Sequence, residues 1–364
     1  MTHPDLVRLR AQFDRVPGYL NAATLGLPTR SVLSAVRAGL DEWAAGRASA
    51  PAYDEAVRRS REAYARLVDV PASRVAVGSQ VSVLLGLVAA ALPDDARVLT
   101  VAEDFASVQF PFLAHRDRGV VVRQVPLADL AGSITPGTDV VAFSLVQSAD
   151  GRVADVAAIR AAARAAGALT VVDTTQAVGW LPVQAGDFDV TACSAYKWLC
   201  SPRGTAFLTV APTLLDRFRP LFAGWYAGES VWDSVYGPAM QLAADARRFD
   251  VSPAWLAWVG TAPALELLAS ADRTAVHGHD VRLANLFRER LGLPGSDTAI
   301  VALADPDATL QARLISAGCS VAARAGRVRL SFHVWNDEDD VQRASEAVRD
   351  QPRTATRTAA ASSP

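Results

Sequence analysis

"FDVTACSAYKWLCSPRGTAFLTV" occupies residues 188–210. It opens on "FDVTACS" (188–194) and closes on "GTAFLTV" (204–210), two apolar runs of strand length. Between them stands "AYKWLCSPR" (195–203), and its Lys197 is the only lysine in the chain. The composition holds 36 Lys plus Arg residues, so the other 35 are arginines. A strand, a loop with a lone lysine between two large aromatics (Tyr196 and Trp198), and a second strand form the unit from which the rest of the chain is read.

Upstream, the same alternation of strand-like and helix-like text begins near residue 70. "RVAVG" (74–78), "ARVLTVA" (96–102), "VVVRQVP" (120–126), "TDVVAFSLV" (138–146) and "ALTVVDT" (168–174) read as strands. "SQVSVLLGLVAAAL" (79–92) and "VADVAAIRAAARAAG" (153–167), which ends in Gly167, read as helices. Runs that stay apolar on both faces and alternate with helices predict a mostly parallel sheet in an α/β layer structure.

After "RRFD" (247–250) the character changes. A long helix over 252–269, a weak strand over 298–304, a helix over 308–318, a hairpin across 319–334 with Gly326 at its turn, and a final helix over 336–349 predict a smaller α+β domain. The expected organisation is an N-terminal segment (1–15), a large domain (16–250), a small C-terminal domain (251–350) and a disordered tail (351–364).

Of 364 residues, 51% are hydrophobic, enough for a large core, and the formal charge is -2. That balance supplies no electrostatic reason for a nucleic-acid or anionic-membrane partner. No apolar run reaches spanning length, and "MTHPDLVRLRAQFDRV" lacks the apolar core of a secretory signal. Cys193, Cys200 and Cys319 make no disulfide framework and no metal-ligand cluster. The expectation is a soluble protein of the reducing cytoplasm.

Arginine keeps its proton in proteins, whereas a desolvated lysine can lose it. Chemistry that needs a neutral, nucleophilic amine therefore needs lysine, above all a Schiff base with a carbonyl substrate or with pyridoxal phosphate. The bland alternative is an ordinary surface lysine, which the aromatic flanks of Lys197 disfavour. Asp173 closes the strand "ALTVVD", so its carboxylate emerges at the edge where open parallel sheets bind ligands. An aspartate there suits a pyridinium nitrogen, and Gln176 is placed to approach the ring's phenolic oxygen. Ser79 and Gln80, in "VGSQ" between a strand and a long helix, suit a phosphate, although plain N-capping by Ser79 explains that residue equally well.

Together these pieces resemble the class V aminotransferase family of fold-type I pyridoxal-phosphate enzymes, which includes cysteine desulfurases, kynureninase and isopenicillin-N-epimerase-like enzymes. The resemblance runs from "YLNAATLGLP" (19–28) to "VRLSFHVWNDEDD" (328–340) and is strongest at "VVDTTQAVGWLPV" (171–183) with "FDVTACSAYKWLCSPRGTAFL" (188–208). It implies a seven-stranded, mostly parallel sheet and pyridoxal 5'-phosphate as cofactor. It implies that Lys197 forms the imine and later moves the α-proton, that Asp173 holds the ring nitrogen and that Gln176 approaches the ring hydroxyl. It further implies that Ser79, Gln80, Ser194 and Tyr196 bind the phosphate, and that Phe105 in "EDFAS" (103–107) stacks on the ring. Arg329 falls where the family grips a substrate carboxylate, a task suited to a planar guanidinium, and Asn21 lines the same cleft. A homodimer follows from the resemblance too, with "RRFDVS" (247–252) reaching the partner's phosphate site. There Val251-Ser252 stands where relatives have Gly-Thr, and Ser252 keeps the hydroxyl.

The shared chemistry acts at the α-carbon of an amino acid. Transamination is the first expectation, β-elimination by a C–S lyase or desulfurase-like enzyme the second, epimerisation the third, and a binding subunit of the same fold the non-enzyme alternative. Cys319 reads as a buried strand residue, not the loop nucleophile of a desulfurase. No histidine stands beside Asp173, as kynureninase-type enzymes have it. The aromatic-rich stretch 222–258 suits either a bulky substrate pocket or a dimer interface.

Overall fold

The computed structural model describes residues 3–237 and 239–349, so the tail expected at 351–364 lies outside the described residues. The apolar runs form one seven-stranded sheet: β1 (Val75–Gly78), β2 (Arg97–Val101), β3 (Val121–Val125), β4 (Val140–Ser144), β5 (Leu169–Asp173), β6 (Val190–Ser194) and β7 (Ala206–Val210). Their spatial order is β1-β7-β6-β5-β4-β2-β3. β7 pairs antiparallel with both neighbours and the other four pairings are parallel. The mostly parallel sheet expected from the sequence is therefore present.

Among the described residues, ten α-helices surround this sheet and a second, smaller one. They are α1 (Pro4–Arg10), α2 (Arg30–Ala44), α3 (Ala50–Leu67), α4 (Val81–Ala90), α5 (Ala106–Leu113), α6 (Val156–Ala166), α7 (Trp255–Ala269), α8 (Arg273–Arg290), α9 (Thr309–Ser316) and α10 (Glu338–Arg349). α6 shows why the local sequence chooses these bounds: Asp155 accepts a hydrogen bond from the Ala158 amide (3.0 Å) at its start, and Gly167 ends it at φ 71°. Successive strand residues face opposite sides. Val75, Val77, Phe143 and Val172 join a core that includes residues of α3, α6 and α7. Ala76, Val140, Ala142 and Val171 join a second core built with α4 and α5. Burial on both faces explains the unbroken apolar runs.

The smaller sheet is antiparallel, in the order β8-β10-β9, from β8 (Ile300–Ala304), β9 (Ala322–Arg324) and β10 (Arg327–Ser331). Its hairpin turns through Ala325 and Gly326, both left-handed at φ 48° and 71°. The strand expected from residue 319 begins only at Ala322, and Cys319 precedes it, buried among Leu20, Leu314 and Val321. The N-terminal stretch joins the two layers. Tyr19 and Asn21 bridge to Ser320 and Ser331, and the Gly26 amide donates to the Tyr196 carbonyl (2.9 Å). No helix among the described residues is long and apolar enough to cross a membrane.

Candidate active site

The parallel strands deliver their C-terminal ends to one edge of the sheet. β1 leads into Ser79 there, β5 ends at Asp173, β6 ends at Ser194, and β7 starts just after Arg203 and Gly204. In an open α/β sheet this edge carries the ligand crevice. A cavity of about 330 Å³ lies there, lined by Ser79, Gln80, Phe105, Asp173, Ser194, Tyr196 and Lys197. Thr175, Ser107 and Arg203 also line it and were not read from the sequence. Arg203 sits in "SPRG", but among 35 arginines nothing marks it.

Lys197 occupies a tight turn. Its carbonyl accepts from the Cys200 amide (3.0 Å), and Cys200 is left-handed at φ 56°. A Cβ on Gly26 would stand 2.0 Å from the Lys197 carbonyl oxygen, so only glycine fits where the N-terminal segment crosses this turn. The Lys197 side chain is buried, with Nζ 5.5 Å from the Phe105 ring centroid and 5.7 Å from that of Tyr196. The fully buried ion pairs among the described residues are Arg61 with Asp250 (2.6 Å) and His333 with Asp280 (3.0 Å), so Lys197 belongs to neither. Burial lowers its pKa to about 8; Asp173 opposes that fall, and Arg329 and Arg324 deepen it. The result is an amine that becomes free close to neutral pH.

Asp173 is buried and accepts from the Thr175 amide (2.8 Å). Burial raises its pKa, against the pull of Thr175 and Lys197. Thr175 Oγ1 also accepts from the Ser194 amide (3.0 Å), which ties the ends of β5 and β6 together. Asp104 orders the loop after β2. It accepts from the amides of Phe105 (2.7 Å) and Ser144 (2.7 Å), and so sets the loop that carries the Phe105 ring. Gln176 does not line the cavity. Its Nε2 donates to the Ala23 carbonyl (2.9 Å) and its Oε1 accepts from the Trp198 indole (2.8 Å), leaving one amide N–H uncommitted.

At the other end, Gln80 is the N-cap residue of α4, and no side chain closes the first turn. Ser79 is therefore not the cap. The first N–H groups of α4 are left without a side-chain acceptor beside the exposed Ser79 and Gln80. The Arg203 guanidinium lies 4.9 Å from the Tyr196 ring centroid.

Arg329 lies on β10 in the corner next to this cavity. Only 2% of it is exposed, yet it has no carboxylate partner: Nη2 donates to Thr24 Oγ1 (2.8 Å), Nη1 donates to the Ser148 carbonyl, and Nε is buried without an acceptor. Burial lowers its pKa to about 10, and Arg324 adds to the fall. Asn21 belongs to the same corner, since its carbonyl accepts from the Thr24 amide (2.9 Å), and its Oδ1 is buried without a partner. Ser252 is exposed and outside the cavity; the neighbouring Val251 amide donates to the Val77 carbonyl (3.1 Å). None of the aromatics in 222–258 lines the cavity: Tyr226 and Trp258 are core, and Phe222, Trp232 and Tyr236 are exposed.

The family model for class-V aminotransferases matches residues 47–311, more than two thirds of the chain. The chain belongs to the class-V aminotransferase family. It is 31% identical to a kynureninase of Salinispora tropica over 370 residues, covering 89% of this chain and 84% of the relative. It is 27% identical to the uncharacterized aminotransferase YcbU of Bacillus subtilis over 319 residues, covering 81% and 85%. Its fold is similar to that of the Escherichia coli cysteine desulfurase CsdA, with a TM-score of 0.81 at 21% identity over 94% of this chain and 97% of the other.

The family is one of pyridoxal-phosphate enzymes, and pyridoxal phosphate is the cofactor. The donor set fits it. An uncapped helix N-terminus with two free polar side chains suits a phosphate, a buried carboxylate in no salt bridge among the described residues suits a protonated ring nitrogen, and a desolvated lysine suits an aldehyde.

Proposed function

We propose that this chain is an aminotransferase acting at the α-carbon of an amino acid. The observation that carries the proposal is Lys197 Nζ, the one amine lining the cavity, buried and with a pKa lowered to about 8. When bound, pyridoxal phosphate supplies an electron-withdrawing ring that acidifies the substrate α-proton. Ser79, Gln80 and Ser194, with the first amides of α4 and Arg203, hold the phosphate. Tyr196 lends its ring to Arg203 and Phe105 covers the ring face. Asp173 keeps a proton on the ring nitrogen. Arg329 binds both oxygens of the substrate carboxylate, with Asn21 beside it. Lys197 Nζ takes the α-proton and holds it.

Three observations support transamination over thiol-dependent desulfuration and two-base epimerisation. Cys319 is buried in the core of the small sheet, where burial raises its pKa to about 11, so it makes a poor nucleophile. Cys193 is buried too, its pKa raised to about 12. Neither these thiols nor any histidine lines the cavity. One base is thus left to remove and return the proton. A homodimer in which Ser252 serves the partner's phosphate site, in a cytoplasmic setting, completes the proposal.

The test incubates holoprotein with a panel of amino acids in heavy water, followed by assay of products with a 2-keto acid acceptor. Transamination predicts α-deuteration and formation of the matching keto acid. Pyruvate with sulfide, or the opposite enantiomer, would replace it with elimination or epimerisation, and absence of exchange with every amino acid would favour a binding subunit.

A further inference from the structure

His333 and Asp280 form a fully buried pair that the proposed chemistry does not use. Both are 0% exposed. His333 Nδ1 lies 3.0 Å from Asp280 Oδ2, and Nε2 lies 3.0 Å from the Trp198 carbonyl oxygen. The Cys200 thiol lies 3.8 Å from the same Nε2; a carboxylate and a carbonyl only accept, so an imidazolium, with a proton on each ring nitrogen, satisfies both 3.0 Å contacts. A neutral imidazole has one N–H and would leave one of the two without a His333 donor, although the Cys200 thiol also reaches the Trp198 carbonyl (3.7 Å). Burial alone would lower the His333 pKa; Asp280, with a smaller contribution from Cys200, more than reverses that and raises it.

The position of the acceptor gives the pair its meaning. In the turn around Lys197 three neighbouring carbonyls are met by neutral backbone donors, and that of Leu199 by the Ser201 hydroxyl (3.2 Å). The Tyr196 carbonyl accepts from the Gly26 amide, that of Lys197 from Cys200 and that of Ala195 from Ser201. The Trp198 carbonyl, next along the chain from Lys197, is met by a charged side chain from the C-terminal part of the chain. It is also enclosed: Gly179 stands at φ 117°, and a Cβ there would lie 2.5 Å from this oxygen. The Trp198 ring stacks edge-on against His333 (5.3 Å between centroids, 62°) while its indole is held by Gln176.

We propose that the Asp280–His333 pair is a positioning device for Lys197: by clamping the Trp198 carbonyl it fixes the turn that aims Nζ into the cavity. The inference rests on Lys197 being the reactive amine. It makes His333 a positioning residue, since it touches neither substrate nor cofactor. Arg329 and His333 lie at and just beyond the same strand, β10, so carboxylate grip and lysine aim share one support.

The test uses the single lysine. Apoprotein is acylated across pH and the Lys197 peptide is quantified by mass spectrometry, with the N-terminal amine as internal standard. The rate of borohydride-fixed attachment of pyridoxal phosphate is measured in parallel, and thermal unfolding reports stability separately. Wild type is expected to titrate near 8. His333→Phe removes both donors at similar size and is expected to move the midpoint up by about one unit, which is about tenfold less free amine at neutral pH, and to slow attachment about tenfold. The double variant His333→Gln with Asp280→Asn keeps a neutral N–H donor for the Trp198 carbonyl and is expected to restore both values. If His333→Phe unfolds more easily but keeps the wild-type midpoint and attachment rate, the pair is only structural and the inference falls. Should His333→Phe not fold, the double variant His333→Leu with Asp280→Leu decides, because it removes the donor to the Trp198 carbonyl and leaves no unpaired buried charge; an unchanged midpoint there overturns the inference equally. A wild-type protein that attaches no pyridoxal phosphate at Lys197 sinks the functional reading instead, and the midpoint comparison still judges His333.

Discussion

Replacing Lys197 by Met should stabilise the apoprotein. The side chain is buried, and its pKa falls from 10.5 to about 8. That difference, at about 1.4 kcal/mol per unit, corresponds to about 3 kcal/mol spent at neutral pH on keeping an ammonium in the fold. Methionine has a similar stem and no charge. Asp173, whose pKa burial already raises, loses its cationic neighbour in the variant, and that loss offsets part of the gain. The gain is expected to depend on pH. Between pH 8 and 10.5 the unfolded chain still holds a proton that folded Lys197 has released, so wild-type stability rises with pH through this window. The advantage of Lys197→Met is therefore full below pH 8 and gone above 10.5. Urea unfolding of both apoproteins at neutral pH and in the alkaline range measures it. Equal stability at neutral pH, or a gap that does not shrink with pH, would refute the claim that Lys197 is held desolvated.

Other variants test the rest of the site. Arg329→Gln should raise KM for amino acids by roughly 10²-fold, from about 3 kcal/mol for a buried charge-assisted contact, and Arg329→Lys should not rescue it, because an ammonium cannot grip both oxygens; steady-state kinetics decide both. Asp173→Asn should slow α-proton exchange by about 10²- to 10³-fold, the cost of breaking a buried charge pair, while attachment of pyridoxal phosphate at Lys197 persists in mass spectra. Cys319→Ala should cost about 1 kcal/mol of stability through a small cavity and leave transamination unchanged; loss of turnover without loss of stability would bring back a thiol-dependent reaction.

Most of the sheet was legible because both-face burial forces continuous apolar text, as in "FDVTACS" and "GTAFLTV". Asp173 and Lys197 were legible for the same reason: each follows or closes such a run, so its place at the carboxyl edge follows from strand direction. α2, α3 and α8 went unread. They are polar on one face, and the signal for α2 was a single capping residue, Thr29, which accepts from the Val32 amide (3.2 Å). Contacts made by tertiary folding left no local trace. Asp104 meets Ser144, Asp280 meets His333, and the side chain expected to reach the ring, Gln176, is drawn instead to Ala23 and Trp198. Arg203 was hidden by abundance.

The most direct measurement is the pH dependence of covalent attachment of pyridoxal phosphate to the apoprotein, fixed with borohydride and mapped by peptide mass. One adduct is expected, on the Lys197 peptide, with a rate that climbs about tenfold per pH unit and levels off near pH 8. A rate still climbing toward 10.5, the ordinary value for lysine, or an adduct confined to the N-terminal amine, would contradict it.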